Sequence, residues 1–477
     1  MILLSLVGCL GVKVAQHQPT ADVVESEAGV EEVSPIPVPG PLPSWTPPVP
    51  EVSTLSNGVE VWLLEDHDLP LVSVRLLSRR GSLLDAEGAE GLTALYGEML
   101  EESAGDLTAI EMKERASSLA IDLSTHVERL SLVVSLDSTR ATLDDGLSMM
   151  ADMVLRPALN EEDWERVKGQ RFLELLSDRQ DGMNLASEIA RREWYAEGNP
   201  WGRPVRGTPE SVDRLELHQV QAHHETAFES ANSALLVVGD LTMEEAVERF
   251  ERSFEGWEQG GEELALPEAE TAGAKVLLVD DPGATQTAIR VVGEGPALTN
   301  IERHAARMTG VVMGGSFTSR LNSLLREEKG YTYGARAWFS SDVGGGTFNA
   351  GTLVRGDATS DALRDLLSLL RDSAQGFSEG EREKARAQVL SGSLDRAGGR
   401  RGIAAIYLDR MVNNRPAEGL GRDLELTMSA SAAEMQVVAE RFLEPSRLVV
   451  TLAGDLATVG PMLDEAGVDY TAVAPTP

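Results

Sequence analysis

From Leu55 onward, short runs of apolar residues alternate with longer segments in which apolar positions recur every three or four residues. The runs Val59 to Glu65, Leu69 to Ser78 and Ser233 to Val238 predict strands, because their length and composition suit a buried sheet. The pair Asn57-Gly58 just before the first run is typical of a hairpin turn. This alternation predicts α+β domains in which helices cover one face of a mainly antiparallel sheet.

The helical segments carry N-terminal signals. Thr108 and Glu111 have the spacing of a capping box, and so do Thr242 and Glu245. Asn160 precedes an acidic turn, which suits the positive end of a helix. We therefore expect helices to begin directly after Thr108, Asn160 and Thr242.

The second half of the chain repeats the first. Leu63 to Asp66 is echoed by Leu278 to Asp281, and Gly239 to Leu241 is echoed by Gly454 to Leu456. Within each pair, the second segment begins 215 residues after the first: residue 278 follows residue 63 by 215 positions, and residue 454 follows residue 239 by 215 positions. The repeat predicts a tandem duplication with these boundaries: a first domain at 53–257, a Gly- and Glu-rich linker at 258–271 and a second domain at 272–477.

One segment of the first half, Gly88 to Gly105, predicts a helix whose spacing invites comparison with a zinc site. Helices that bind zinc for hydrolysis commonly carry two histidines four residues apart, with a glutamate beside them as general base. The matching positions here are Ala94 and Glu98, and Gly97 stands where the base would be. Because alanine has no donor atom and glycine cannot move a proton, we expect no catalytic residue and no metal of the chain's own.

The frame around this helix resembles the inverted-zincin motif H-x-x-E-H of the pitrilysin/insulinase (M16) family of zinc metallopeptidases. The family pattern runs G-S-x-x-E, a spacer, and G-L-A-H-x-x-E-H-M-L; this chain has Gly81 to Asp85 and then Gly91 to Leu100. Glu174 lies 76 residues after Glu98, which is the spacing of the third zinc ligand in the family. The resemblance covers roughly Leu55 to Ala466 and implies a tandem of two domains of the LuxS/processing-peptidase type.

A second family signature lies in the other half. Gly314 to Leu321, followed by Arg326 to Tyr333, resembles the family pattern S-R-L and then R-E-x-x-G-x-x-Y. The residues predict a helix that stops at Gly330, followed by a strand. By resemblance, Arg326 binds substrate carbonyls and Tyr333 donates a hydrogen bond to the oxyanion formed at the scissile carbonyl. The alternative is a surface ion pair for Arg326 and an ordinary strand aromatic for Tyr333.

The histidines offer no clear replacement metal site. His218, His223, His224 and Glu225 form a cluster that could place two ligands on one helix. The helix at that point is structural in the family, so the resemblance favours a structural role here. The other histidines outside the leader and tether stand alone and are expected to be structural or solvated: His67, His126 and His304.

Composition limits the choice of partner. The chain has 42 Lys+Arg against 77 Asp+Glu, a net charge of −35, which would repel a phosphate backbone and argues against nucleic-acid binding. Whether these carboxylates face solvent or line an interior stays open. We find no serine nucleophile elbow, phosphate loop or dinucleotide fingerprint.

The N-terminus contains Cys9, the single cysteine, so an internal disulfide is excluded. Leu6 to Cys9 resembles the lipobox of bacterial lipoproteins and ends an apolar leader at 1–9; a chance cysteine is the alternative. The acidic and proline-rich stretch 10–52 predicts an extended tether. Together these features predict a lipid-anchored protein of the bacterial cell envelope, facing the periplasm.

Two functions compete. The first is a non-catalytic, substrate-binding subunit of a two-subunit zinc metalloendopeptidase, similar to the bacterial heterodimers and to mitochondrial processing peptidase. A homologous partner would carry H-x-x-E-H and zinc, and this chain would supply Arg326 and Tyr333. The second is a solitary, membrane-tethered peptide-binding or scaffold protein without catalysis. A hydrolase that uses Glu98 and Glu174 with an unexpected metal is a third possibility.

Overall fold

The computed structural model describes Gly40 and residues 42–474. The leader, Cys9 and most of the predicted tether lie outside the described residues, so the lipidation of Cys9 stays a prediction. Residues from Ser44 onward form one compact unit that holds both halves of the duplication. In the described part of the chain, we find no helix with the length and apolar character needed to cross a membrane.

The first half builds a six-stranded sheet and eight helices. The strands are β1 (Glu51–Thr54), β2 (Glu60–Glu65), β3 (Leu71–Ser78), β4 (Asp122–Val127), β5 (Leu132–Thr139) and β6 (Ser233–Gly239). The helices are α1 (Leu92–Leu100), α2 (Ala109–Ser118), α3 (Leu143–Leu155), α4 (Glu161–Asp178), α5 (Gly182–Trp194), α6 (Pro209–Arg214), α7 (Leu217–Ala227) and α8 (Met243–Ser253). The strand order is β1-β2-β6-β3-β5-β4, and β2 and β6 are its one parallel pair.

The predicted helix starts are confirmed. Thr108 and Thr242 each accept a hydrogen bond from the backbone N–H three residues on, and Glu111 and Glu245 complete the two capping boxes. Asn160 caps α4 through Asp163. Every helix of this half except α5 contributes to one large apolar core on a single face of the sheet.

The second half builds a sheet and helices of the same kind. Its strands are β7 (Lys275–Asp280), β8 (Gln286–Gly295), β9 (Thr332–Asp342), β10 (Gly345–Arg355), β11 (Val449–Gly454) and β12 (Thr471–Val473). Its helices are α9 (Glu302–Met313), α10 (Arg320–Asn322, continued by a π-helix at Ser323–Glu328), α11 (Thr359–Asp372), α12 (Glu379–Ala397), α13 (Arg400–Val412), α14 (Leu420–Ser429), α15 (Ala432–Phe442) and α16 (Leu456–Glu465). The strand order is β12-β7-β11-β8-β10-β9.

The two sheets share one topology and one register. The order β2-β6-β3-β5-β4 becomes β7-β11-β8-β10-β9 when each strand is replaced by its counterpart in the second half. Leu63 pairs with Val237 and Leu278 pairs with Leu452, so both partners are displaced by the same 215 residues. The α+β class, with two mainly antiparallel sheets covered by helices, is confirmed. The edge strands differ, because β1 runs antiparallel to β2 whereas β12 runs parallel to β7.

One helix of each half packs against the sheet of the other half. Helix α5 packs Ala186 and Ile189 against Val279 and Ala288 of the second sheet. Helix α13 packs Ala404 and Tyr407 against the first sheet, where Leu236 belongs to the same apolar cluster. The two sheets are therefore joined through cores that neither half completes alone.

The end of the predicted tether takes part in the fold. The peptide carbonyl of Pro48 accepts a hydrogen bond from the Tyr407 hydroxyl, and Trp45 packs against two of the apolar clusters. Strand β1 begins at Glu51, inside the stretch predicted as tether. The predicted domain boundaries stay predictions, since the helix exchange makes one compact unit of both halves.

Candidate functional site

The helix α1 is positioned by a buried aspartate. Asp85 accepts hydrogen bonds from the backbone N–H of Gly91 at 3.1 Å and of Thr93 at 3.2 Å, and from the Thr93 hydroxyl at 2.5 Å. Burial raises the pKa of Asp85 to about 7, although these hydrogen bonds oppose the rise. Gly91 has a φ of +93°, which favours glycine at the turn into the helix. The G-S-x-x-D and G-L elements of the sequence thus fix the start of α1.

The positions of the first zinc histidine and the general base are packed into protein. Ala94 is buried, and so is Gly97. A Cβ atom added at Gly97 would lie 2.9 Å from a methyl carbon of Val127 and 3.4 Å from one of Leu132. A glutamate could enter at residue 97 only if the neighbouring strands moved.

The position of the second zinc histidine is bound to an arginine. The Glu98 carboxylate contacts the guanidinium of Arg171, a residue of α4 that is only 6% exposed. Glu174, one turn along α4, lies 3.8 Å from the Nε atom of Arg171. Glu174 also accepts a hydrogen bond from Arg206 at 2.6 Å, and Arg206 in turn pairs with Asp178 at 2.6 Å. The two carboxylates matched to zinc ligands are therefore neutralised by guanidinium groups.

This cluster does not fit a zinc ion. Burial, together with the neighbouring charge of Arg206, lowers the pKa of Arg171 to about 10, but the side chain stays protonated at neutral pH. A dication beside a buried guanidinium would be repelled, and two carboxylates without a histidine are a poor donor set for zinc. Among the residues that the structure describes, no group of three or more His, Cys, Asp or Glu side chains is arranged to hold a metal.

The histidine cluster on α7 lies beside this helix. The Tyr96 hydroxyl of α1 lies 2.9 Å from Nδ1 of His224, and the ring of His223 meets the Tyr96 ring edge-on. Burial lowers the pKa of His223 to about 4, so its ring is neutral at physiological pH. His218 is exposed and pairs with Glu216 at 3.0 Å. These contacts give His223 and His224 a place in the packing of α7 against α1.

The second signature forms a corner between a helix and an edge strand. The helix formed by α10 and its π-helical continuation ends at Glu328, Gly330 follows with a φ of +65°, and β9 begins at Thr332. The predicted helix, glycine stop and strand are confirmed. The buried Asn322 side chain holds the corner by hydrogen bonds to the backbone of Ser316 at 2.9 Å and of Ala335 at 2.9 and 3.0 Å.

Arg326 and Tyr333 lie on the two sides of this corner. The guanidinium carbon of Arg326 is 4.2 Å from the centre of the Phe317 ring, and its Nε is 3.4 Å from the Glu327 carboxylate. Phe317 is 62% exposed and Tyr333 is 92% exposed. The corner thus presents a cation, a phenol and an apolar ring to whatever binds there. The contacts of Arg326 stay within the second half, and the substrate-binding roles of Arg326 and Tyr333 remain predictions.

Arg171 was not predicted from the sequence. Its only sequence signal is a position three residues before Glu174 on a helix, which many ordinary surface ion pairs share. Arg320 of the S-R-L signature is also structural, since its guanidinium binds both carboxylate oxygens of Glu381 at 2.7 and 3.0 Å. His67, His126 and His304 each have a polar neighbour within 3.0 Å, respectively Asp240, Glu128 and Thr427.

Comparisons with known proteins find similarity to M16-type proteins. The family model described as the peptidase M16 inactive domain matches residues 214–389. The non-peptidase homolog YmxG of Helicobacter pylori is 24% identical over 273 residues, which cover 56% of this chain and 62% of that protein. An uncharacterized zinc protease of Rickettsia bellii is 22% identical over 344 residues, covering 71% of this chain and 82% of that protein.

Solved structures share the fold. The crystal structure of a peptidase M16 inactive domain from Pseudomonas fluorescens superposes with a TM-score of 0.79 at 21% identity, covering 85% of this chain and 98% of that one. A protease from Helicobacter pylori superposes with a TM-score of 0.77 at 17% identity, covering 87% of this chain and 100% of that one. These structures show the fold, and the family model together with the curated relatives confirms the resemblance to the pitrilysin/insulinase family.

Proposed function

We propose that this M16-like chain is the non-catalytic, substrate-binding subunit of a two-subunit zinc metalloendopeptidase. An inactive M16-type domain fits a non-catalytic subunit. A homologous partner would carry H-x-x-E-H, bind zinc and activate water. This chain would supply Arg326 and Tyr333 to the active site of that partner, and Cys9 would hold the complex on the cell envelope through a lipid.

The exposure of Tyr333 carries the proposal. Tyr333 is 92% exposed and Phe317, on which Arg326 stacks, is 62% exposed, so both rings leave aromatic surface without packing inside their own chain. Asn322 holds the same corner with buried hydrogen bonds, so the exposed side chains stand on a fixed support. An exposed aromatic group and a cation at one corner of the fold are suited to an interface, where tyrosine and arginine often dominate the binding energy.

In the proposed complex, Tyr333 and Arg326 would have distinct tasks. A tyrosine hydroxyl can donate one hydrogen bond to a developing oxyanion, and an arginine can donate several to peptide carbonyls without changing its charge. The stacking of Arg326 on Phe317 limits the directions in which the guanidinium can point. The zinc half of this chain contributes no chemistry, because Arg171 engages Glu98.

The test uses this chain together with an M16 chain that carries an intact H-x-x-E-H. We expect peptidase activity only with both chains, a kcat about 10² to 10³ lower with Tyr333→Phe, and mainly a higher KM with Arg326→Ala. Tyr331→Phe is the matched control, because the Tyr331 hydroxyl contacts Asp365 at 3.4 Å within its own half. Arg355→Ala, at an exposed pair with Asp357, is the control for the lost charge.

An activity that depends on the partner but is unchanged by Arg326→Ala and Tyr333→Phe would reject the roles given to these residues. The second candidate is a solitary, tethered peptide-binding or scaffold protein, which the closed zinc position also allows. Purification of the chain from its own cell envelope without an M16 partner, together with saturable peptide binding by the chain alone, would favour this second function.

A further inference from the structure

A cavity of about 410 Å³ in the second half is lined by an unusual number of arginines. It lies among α9, α12, α13 and α14, with Trp45 and Phe339 as apolar lining. Five arginines and two aspartates line it, which leaves an excess of three positive charges inside a protein whose net charge is −35. Concentrated charge of one sign in a cleft raises the local concentration of the opposite ion.

One aspartate of the cavity is paired with three arginines. Asp423 contacts the guanidinium groups of Arg303 and Arg415 and accepts a hydrogen bond from Arg410 at 2.7 Å. Burial acts in the opposite direction, but these hydrogen bonds and charges lower the pKa of Asp423 to about 2. One permanent carboxylate therefore faces three guanidinium groups and cannot neutralise the remaining arginines.

Two arginines of the cavity are left for a ligand. Arg307 donates one hydrogen bond, to the Ser393 hydroxyl at 3.3 Å. Neither Arg307 nor Arg396 makes an ion pair with a carboxylate in the described part of the chain. Burial is the main cause that lowers the pKa of Arg307, and the nearby charges of Arg396 and Arg415 act in the same direction. An anion bound here would relieve that repulsion.

A buried histidine also faces the cavity. His304 is 4% exposed, and its Nε2 atom, which lies 3.8 Å from the Asp423 carboxylate, has no hydrogen-bond partner among the described residues. Its Nδ1 lies 2.8 Å from the Thr427 hydroxyl, which donates its single hydrogen to the Asp423 carbonyl at 2.9 Å. Nδ1 must therefore carry the proton, and Nε2 offers a free acceptor. The cavity thus combines guanidinium donors with one acceptor for a hydroxyl or a protonated phosphate oxygen.

We propose that this cavity is a binding site for a small phosphate-bearing anion, held chiefly by Arg307 and Arg396. Guanidinium groups recognise phosphate oxygens with paired hydrogen bonds, and a multivalent anion is needed to neutralise an excess of three charges. The volume lies in the range of ordinary small-molecule sites, about 300 to 1,000 Å³. This site is separate from the corner of Arg326 and Tyr333, and it needs neither zinc nor a partner chain.

Calorimetric titration of the full chain with sodium tripolyphosphate, at neutral pH and constant ionic strength, tests the site directly. We expect one saturable site and a melting temperature that rises with ligand concentration, because the ligand binds the folded state. Arg307→Gln and Arg396→Gln should each weaken binding by about tenfold, the effect of one charge-assisted hydrogen bond. Arg252→Gln is the matched control, since Arg252 is an exposed arginine paired with Glu248 on α8.

Inorganic phosphate, titrated in parallel, distinguishes a site for one phosphate group from a site for a polyphosphate, and binding of either supports the proposal. Three results would overturn it. The first is no saturable heat and no thermal shift beyond that of sodium chloride. The second is an equal loss of affinity in Arg252→Gln, which indicates general charge attraction. The third is saturable binding of a poly-glutamate peptide without any response to tripolyphosphate or phosphate.

Discussion

The guanidinium of Arg171 contacts the carboxylate of Glu98, the residue that stands at the position of the second zinc-binding histidine in the family motif. A protein cation thus occupies the electrostatic role that a metal has in active relatives. Both carboxylates at the ligand positions therefore have a positive partner although the chain lacks the histidines. Glu98 is paired with Arg171, and Glu174 is paired with Arg206.

Loss of this cation should destabilise the fold. Arg171→Met removes a guanidinium that is 6% exposed and leaves Glu98, which is half-buried, without its partner. Because solvent screens part of the interaction at Glu98, we expect a loss of about 1 to 3 kcal/mol in the free energy of unfolding, measured by urea denaturation. The exposed pair of Arg252 and Glu248 provides the control, where Arg252→Met should cost less than about 0.5 kcal/mol. A change at Arg171 as small as that control would contradict a structural role.

Rebuilding the motif should not restore a peptidase. The triple substitution Ala94→His, Gly97→Glu and Glu98→His supplies the missing groups but leaves Arg171 in place and forces a side chain against Val127. We expect no stoichiometric zinc by elemental analysis and a loss of about 1 to 3 kcal/mol in stability from overpacking. Tight zinc binding by this variant, with Arg171 unchanged, would show that the arginine does not block the site.

These positions also show which parts of the candidate site could be predicted from the sequence. Ala94, Gly97 and Glu98 follow from the motif alone, because a missing donor atom is visible in the residue type. Arg171 does not follow, because its importance depends on α4 passing beside α1, a contact between residues 73 positions apart. Likewise, the 215-residue repeat predicts two similar sheets, but an amphipathic helix pattern does not say which sheet the helix covers, so the exchange of α5 and α13 was not predicted.

The contribution of His304 to stability should be lost as the pH is lowered through the range in which its ring titrates. Burial, and next the charge of Arg303, lowers the pKa of His304 to about 4, against 6.5 for an ordinary histidine. Between these values the unfolded chain binds the proton and the folded chain does not, so stability is lost as the pH falls from about 6.5 towards 4. We expect the wild type to lose about 2 kcal/mol more than His304→Gln between about pH 7 and pH 5 in urea denaturation.

His67 provides a control of opposite sign. It is exposed, and a hydrogen bond to Asp240 raises its pKa. Its contribution to stability should therefore be present at low pH and lost as the pH rises, and His67→Gln should not remove the loss of stability at low pH. If His304→Gln and the wild type show the same pH dependence, another group causes the acid sensitivity.

The corner that presents Tyr333 should depend on one amide side chain. Asn322 is 7% exposed, and its amide bonds both the backbone N–H and the carbonyl of Ala335. Asn322→Ala leaves these buried groups unpaired, so we expect a loss of about 1 to 3 kcal/mol in stability. Hydrogen exchange should rise at the start of β9, and partner-dependent activity should fall although Arg326 and Tyr333 are unchanged. Asn300→Ala, at a half-buried amide paired with Glu302, should leave β9 unaffected.

Because one helix of each half packs against the sheet of the other half, a substitution in that helix should destabilise the opposite sheet. Ala186 of α5 and Ala404 of α13 are both fully buried, each against the sheet of the opposite half. An unpaired carboxylate at either position costs several kcal/mol, since burial without a partner is unfavourable. We therefore expect the Ala404→Asp variant to show faster hydrogen exchange in β3 and β6 of the first sheet. The Ala186→Asp variant should show faster hydrogen exchange in β8 and β11 of the second sheet. Unfolding should remain a single transition, because neither core is complete without the borrowed helix. Two separate transitions, with exchange raised only in the mutated half, would show that the halves fold independently and that the borrowed helices add little to either core.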